Sequence, residues 1–374
     1  MNKIIIHGFY GHGNLGDEAI LESLLKEFGK FPELEITVFS SRPQEVSRMY
    51  QVRSINSIRK KTILRRIYEI KKSKLFILGG GGLLRDTGGN SVNIKNWLKP
   101  LILAQRLGTK TVLCGIGVEN IRYPKSKKII CKVLNKTNLI TVRDENSKKT
   151  LQQMGITNEI KVTADPAILL NNNLSKIKWP NSSPKIMICV RHWFDKGFYI
   201  ENQKANKNFI NSLSIAADFL IEHYNATVDF IPMRTITDDD DGIVARQILS
   251  QMKYKNKTWV CSVVAKPREF IEMLKKYSLI IGMRLHSLIL ATSAGIPVIG
   301  FEYMPKVKAY MASISQGEYS LSMTTINSDK LIQLTKNTFE HYDFRAQTII
   351  SKISELQSMA RNTLKEIVTL ARNK

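Results

Sequence analysis

The chain has 374 residues, 43% apolar and 24% charged, enough for two ordinary domains with cores of their own. It has no apolar run of about eighteen residues that could span a bilayer, and the opening "MNKIIIHGFYGHGN" reads as a first strand, not a secretion signal, so a cytoplasmic protein is expected. The formal charge of +24 is abnormal and favours anionic partners; with no RNP box, zinc finger or basic zipper, nucleic acid is not expected among them.

In chain order, "KIIIHGF" predicts a first strand, followed by the glycine loop "GFYGHGNLGDEAIL" and a helix. Gly11, Gly13 and Gly16 spell a G-x-G-x-x-G, a spacing that lets backbone N–H groups approach a phosphate at a helix N-terminus. A dinucleotide site also needs an acidic residue closing the second strand. "EITVFSSRP" closes instead on Ser40, Ser41 and Arg42, which argues against NAD and would suit only a 2′-phosphate. Asn14, Asp17 and Glu18 open the first helix, where capping and dipole compensation are routine, and Asp17 is equally placed to serve a site. His12 in the same loop is a candidate second site histidine.

After the strand "KLFIL", the run "GGGGLLRD" (Gly79 to Asp86) is expected to be a ligand-facing loop, since four consecutive glycines suit close approach at a strand's carboxyl end. "KTVLCGIGV", "LITVRD" and "IKVTADPA" complete a first series of six strands, with helical patterns between most of them. That alternation predicts a doubly wound parallel sheet over residues 1–170. Residues 171–185, "NNNLSKIKWPNSSPK", have linker composition.

A second α/β series follows over 186–326: "IMICVRHW", "ATVDFIPMR", "KTWVCSV", "SLIIGMR" and "IPVIGFEY". "TDDDDG" (237–242) reads as an exposed, helix-capping loop and not a metal site, because adjacent aspartates cannot all face one ion. Arg143, Arg191 and Arg234 each end a strand. Arg284 and His286 lie in the turn between "SLIIG" and the apolar helix "HSLILATSAG", beside free N–H donors, where a guanidinium completes an anion site and an imidazole can deliver a proton. Residues 327–374 are helical throughout, and His223 and His341 fall on helix surfaces. The four cysteines form no CxxC pair and read as small apolar residues. The fold class expected is α/β, two Rossmann-like domains facing across a cleft (GT-B-like) with C-terminal helices.

"YGHGNLGDEAIL", "GGGGLLRD", "GIGVE", "RDENSKKTLQQMGI", "ADPA" and "MRLHSLILATSAGIPVIGFEY", in that order from about residue 5 to residue 308, resemble the polysaccharide pyruvyl transferases, among them cell-wall ketal-pyruvyl transferases that modify N-acetylmannosamine. The resemblance implies a GT-B-like fold and phosphoenolpyruvate as co-substrate, with no metal and no further cofactor. It makes His286, in the Arg284–Leu285–His286 element, the general acid, and places Arg143 and Lys306 on the donor with Arg284. Arg191, Asn14 and the glycines Gly80, Gly81 and Gly82 are further substrate-binding candidates, and either Asp17 or Asp86 is the base. The acceptor implied is a sugar of a cell-surface polysaccharide precursor, lipid-diphosphate-linked saccharides included. Most of the scattered lysine ("KKTILRRIYEIKKSK") reads as solvated surface, and it would also suit docking to the cytoplasmic membrane leaflet. The rival reading is a GT-B glycosyltransferase or sugar-nucleotide epimerase; the acceptor's identity and the oligomeric state are not legible in the residues.

Overall fold

A computed structural model of the chain describes residues 1–86, 91–171, 183–193, 201–236, 239–262 and 266–373. The chain divides into two compact units, Met1–Leu170 with Leu356–Lys374, and Asn171–Glu355. Most of the expected linker, residues 172–182, lies outside the described residues, as do Thr237 and Asp238 of the aspartate run.

Unit 1 runs β1 (Asn2–His7), α1 (Leu15–Phe28), β2 (Leu34–Ser40), α2 (Pro43–Tyr50), β3 (Arg53–Asn56), α3 (Ile63–Lys72), β4 (Leu75–Arg85), α4 (Val92–Arg106), β5 (Lys110–Glu119), α5 (Pro124–Leu134), β6 (Leu139–Val142), α6 (Glu145–Gln153) and β7 (Ile160–Val162). Its sheet has the order β3-β2-β1-β4-β5-β6-β7, every pairing parallel. Strands buried on both faces read as continuous apolar runs: "IIIH" in β1 and "LFIL" in β4 are buried throughout. β3, "RSIN", escaped the sequence reading because it is short and half polar, an outer strand needing little apolar surface.

Unit 2 runs β8 (Lys185–Cys189), α7 (Gln203–Tyr224), β9 (Thr227–Phe230), β10 (Thr235–Ile236), β11 (Asp239–Asp240), α8 (Asp241–Gln251), β12 (Thr258–Val260), α9 (Pro267–Leu274), β13 (Leu279–Gly282), α10 (Leu285–Ser293), β14 (Val298–Glu302), α11 (Pro305–Ser313), β15 (Ser320–Ser322), α12 (Ser328–Glu340) and the long α13 (Tyr342–Arg372), whose last turns belong to unit 1. The parallel sheet is ordered β12-β9-β8-β13-β14-β15, and β10 pairs with β11 as a small antiparallel ribbon. Counted from its own first strand, this is the order 3-2-1-4-5-6, which unit 1 shares and extends by one strand. In each unit the order reverses beside the first strand, between β1 and β4 and between β8 and β13, where doubly wound sheets receive ligands at their carboxyl ends.

Local signals set the helix ends. Asn14, Asp144, Asn202 and Asn327 accept hydrogen bonds from first-turn N–H groups of α1, α6, α7 and α12. The end of α13 is held within unit 1 by Gln357 Nε2 donating to the Ile168 carbonyl (3.0 Å) and by the Lys161–Glu366 ion pair (2.6 Å). In unit 2, the buried Arg345 at the start of α13 donates to Gln316, Thr338 and the Val298 carbonyl, and lies flat on the Tyr319 ring.

Candidate active site

The reversal point of unit 2 gathers five of the predicted site residues, Arg191, Arg284, Leu285, His286 and Lys306. The chain leaves β8 as Arg191-His192-Trp193, leaves β13 as Met283-Arg284 and leaves β14 toward Tyr303 and Lys306. Arg284 is the N-cap residue of α10, and Leu285 and His286 form its first turn, so the element sits in the strand–helix turn that the sequence indicated. Leu285 is buried and His286 half-buried.

Arg284 is itself buried, and its counter-ions come from the aspartate run. Its Nε donates to both Asp241 oxygens (3.1 and 2.9 Å), and its Nη2 donates to Asp241 Oδ1 (2.6 Å) and Asp239 Oδ1 (3.1 Å). Asp241, 1% exposed, also accepts from the backbone N–H groups of Met233 and Arg234. The expectation of an exposed loop is corrected for its described part, 239–242. Asp240 does cap α8 through the Gly242 N–H, but Asp239 and Asp241 are the anions that make burial of Arg191 and Arg284 tolerable, and Asp239 also meets the half-buried Arg234. Burial opposes the Arg284 charge, and Asp241 and Asp239 more than repay it, so its pKa is raised. Burial likewise opposes ionisation of Asp239, and Arg284, Arg191 and Arg234 together hold its pKa below the usual value.

Cationic and aromatic side chains stand beside this network. Arg191 lies 5.4 Å and the Lys306 Nζ 5.3 Å from the Tyr303 ring centre, and Trp193 meets that ring edge-on at 5.0 Å. Arg191, Arg234 and Arg284 all meet Asp239, at 3.7, 3.2 and 3.1 Å. The Nη1 of Arg284 makes no hydrogen bond among the described residues. Arg284 is thus clamped along one edge, with its other terminal nitrogen uncommitted. Tyr303, Trp193 and His192, whose Nε2 contacts the Asp240 carbonyl (2.9 Å), were missed at the sequence level; the aromatic residues following strand-end arginines were the available signal.

Unit 1 differs in sign. Arg143 at the end of β6 is buried and donates to Glu119 (3.1 Å) and Asp165 (3.2 Å), with Asp144 at 3.7 Å. Burial works against its charge, and Asp165 and Glu119 outweigh burial to raise its pKa. With three carboxylates about one guanidinium, Arg143 is a poor anion trap. The reading of Arg143 as a donor grip is therefore revised to the hub of an acidic cluster.

The four-glycine run is also revised. It is not a free loop but the irregular carboxyl half of β4, with a register shift between Gly81 and Leu84. Gly80 and Gly81 have φ of +61° and +79°, and a Cβ there would stand 2.3 Å from Ile20 and 2.9 Å from Asp17 Oδ1. These two glycines let α1 settle on the sheet, which explains them by packing; Gly82 is half-buried, with its virtual Cβ 3.9 Å from Arg143 Nη2. Asp86, the other proposed base, accepts from the Arg122 and Tyr123 N–H groups and from Ser126 Oγ, so it anchors the entry to α5. Asn14 caps α1, and His12 stacks on Phe9 at 4.1 Å. Asp17 is buried against Gly81, and Glu18 beside it accepts from the Gly11 N–H (2.7 Å). Burial pushes the Glu18 carboxyl up to about 7 against that hydrogen bond, with Asp17 adding to the rise.

A family model described as polysaccharide pyruvyl transferase matches residues 14–304, which span both reversal points. Among solved structures the chain resembles the UDP-GlcNAc 2-epimerase from Neisseria meningitidis bound to UDP-GlcNAc, with a TM-score of 0.64, 13% identity and 99% of each chain covered. It also resembles a glycosyltransferase from Rickettsia africae ESF-5 (TM-score 0.64, 15% identity, 100% of each chain). S. aureus MnaA with UDP is similar (TM-score 0.61, 13% identity, 94% of this chain and 92% of that one). At these identities the likeness shows the fold, which is GT-B-like. No curated protein matches the chain.

Proposed function

The chain belongs to the polysaccharide pyruvyl transferase family, and we propose that it moves the pyruvyl group of phosphoenolpyruvate onto two hydroxyls of a sugar in a cell-surface polysaccharide precursor. The observation that carries this reading is the gathering of Arg191, Arg284 and Lys306 at the unit 2 reversal point, beside a histidine in a helix first turn. A three-carbon donor bearing a carboxylate and a phosphate suits such a basic cluster.

In this scheme Lys306, Arg191 and the uncommitted Nη1 of Arg284 hold the two anionic groups. His286 protonates the methylene carbon as a first sugar hydroxyl adds to C2, giving a methyl group and a tetrahedral carbon that still carries phosphate. The C2–O bond to phosphate then breaks, and the second hydroxyl closes the cyclic ketal. Of the two hydroxyl protons one replaces that spent by His286 and the other leaves on inorganic phosphate, so the reaction balances without a redox partner. Cations around the departing phosphate stabilise the charge it gains.

Release of inorganic phosphate from phosphoenolpyruvate, strictly dependent on a sugar acceptor, tests the reading. His286→Gln is expected to lower turnover by about 10²–10⁴-fold while phosphoenolpyruvate still raises the melting temperature. Lys306→Met is expected to lose that thermal shift. A shift with UDP-sugars and none with phosphoenolpyruvate would favour the epimerase or glycosyltransferase alternative.

A further inference from the structure

We infer that unit 1 docks on an anionic lipid bilayer through the surface built by α3 and the residues leading into it. Of the twelve large apolar side chains that stand exposed among the described residues, four fall within residues 58–68: Ile58 (63%), Ile63 (43%), Leu64 (81%) and Tyr68 (53%). Single exposed apolar residues need no explanation, but a cluster does. Leu64 and Tyr68 are one turn apart on α3, while Glu69 and Ile70 turn inward, so the helix carries apolar groups on both faces.

The charges around the cluster have one sign. Arg59, Lys60, Lys61, Arg65, Lys71 and Lys72 are exposed about it, and the Lys72 Nζ lies 4.4 Å from the Tyr68 ring centre. The only acid of the segment, Glu69, is buried and neutralised by Arg53. The cationic face continues onto neighbouring helices, for α3 packs against α4 and α4 against α5. Neither α4 nor α5 contains an acidic residue. A groove of about 520 Å³ between them is rimmed by Arg106, Lys125, Lys128, Lys132 and Lys136.

This pairing of exposed apolar and cationic groups selects the occupant. A second copy would set like charge against like across the interface. A nucleic acid would satisfy the lysines and leave Leu64 and Ile63 in water. An anionic bilayer accepts both, the apolar side chains entering the acyl boundary and the cations meeting the headgroups. No described helix is long and apolar enough to cross a membrane, so the contact lies in the interface plane. The inference is independent of the pyruvyl-transfer reading and would survive its failure.

Flotation of the full chain with phosphatidylcholine vesicles, with and without phosphatidylglycerol, tests it. Binding is expected only with phosphatidylglycerol. Leu64→Asp with Tyr68→Asp should weaken it by about tenfold or more, from the lost apolar insertion. Lys60→Glu, Lys61→Glu and Arg65→Glu together should weaken it by at least fivefold for each charge removed, about a hundredfold in all. The same reversal of charge at exposed Lys253, Lys255 and Lys276 of unit 2 should change it by no more than about twofold, since screening confines the effect to roughly a Debye length. All these side chains are exposed, so melting temperatures should hold; as a second readout, Leu64→Trp should add fluorescence quenched by brominated lipid. The inference is overturned if Leu64→Asp with Tyr68→Asp binds like wild type, if the unit 2 reversal costs as much as the α3 reversal, or if the apolar cluster proves to join two copies.

Discussion

Replacing Asp241 with Asn tests the account of Arg284 directly. The carboxylate takes three of the four hydrogen bonds that Arg284 donates to carboxylates, and it also accepts two backbone N–H groups. An amide of the same shape must turn its NH₂ toward one of these donors, and it leaves Arg284 with Asp239 as its remaining close counter-ion. Removing one partner from a buried pair costs about 3–5 kcal/mol. For a unit of this size each kcal/mol moves the midpoint by about 2–4 °C, so the unit 2 transition should fall by about 6–20 °C. Scanning calorimetry reads the shift. The double variant Asp241→Leu with Arg284→Met removes both charges and should recover at least half of the loss, because neither ion is left uncompensated. A fall of less than about 2 °C for Asp241→Asn, or costs that simply add in the double variant, would refute the reasoning.

Glu18 predicts a pH signature. Its carboxyl titrates near 7 when folded and near 4.5 when unfolded, so between those values the folded chain holds the extra proton and stability falls as pH rises. Glu18→Gln should therefore raise stability at pH 8 by about 1–3 kcal/mol and change it little at pH 5; a difference that does not vary with pH would contradict this. His7 opposes Glu18: burial lowers its pKa to about 4, so it loses stability as pH falls below 6.5, and Glu18→Gln should leave the protein's remaining pH dependence steeper on the acid side. At Gly117 a Cβ would stand 2.6–2.8 Å from the Arg143 guanidinium. Gly117→Ala should displace Arg143 from its carboxylates and cost about 1–3 kcal/mol in chemical denaturation followed on unit 1.

The sequence legibly carried what depends on near neighbours. Apolar runs such as "IIIH", "LFIL" and "LIIG" become the inner strands because a parallel sheet covered on both faces asks for nothing else. The turn that holds Arg284 and His286 follows from an apolar strand running into an apolar helix, and the family motifs are local strings. Short outer strands such as β3 and β15 were illegible because half-polar segments of three or four residues carry no period.

What tertiary structure decided is the pairing of charge. Arg284 meets Asp241 across 43 residues and Arg143 meets Asp165 across 22, contacts that no local pattern encodes. From the string alone the strand-end arginines look alike. Folding surrounds Arg143 with three carboxylates and instead gathers Arg191, Arg234 and Arg284 about Asp239, with Asp241 on Arg284. Burial makes those partners decisive, since a charge taken out of water is governed by the few groups that fold up against it.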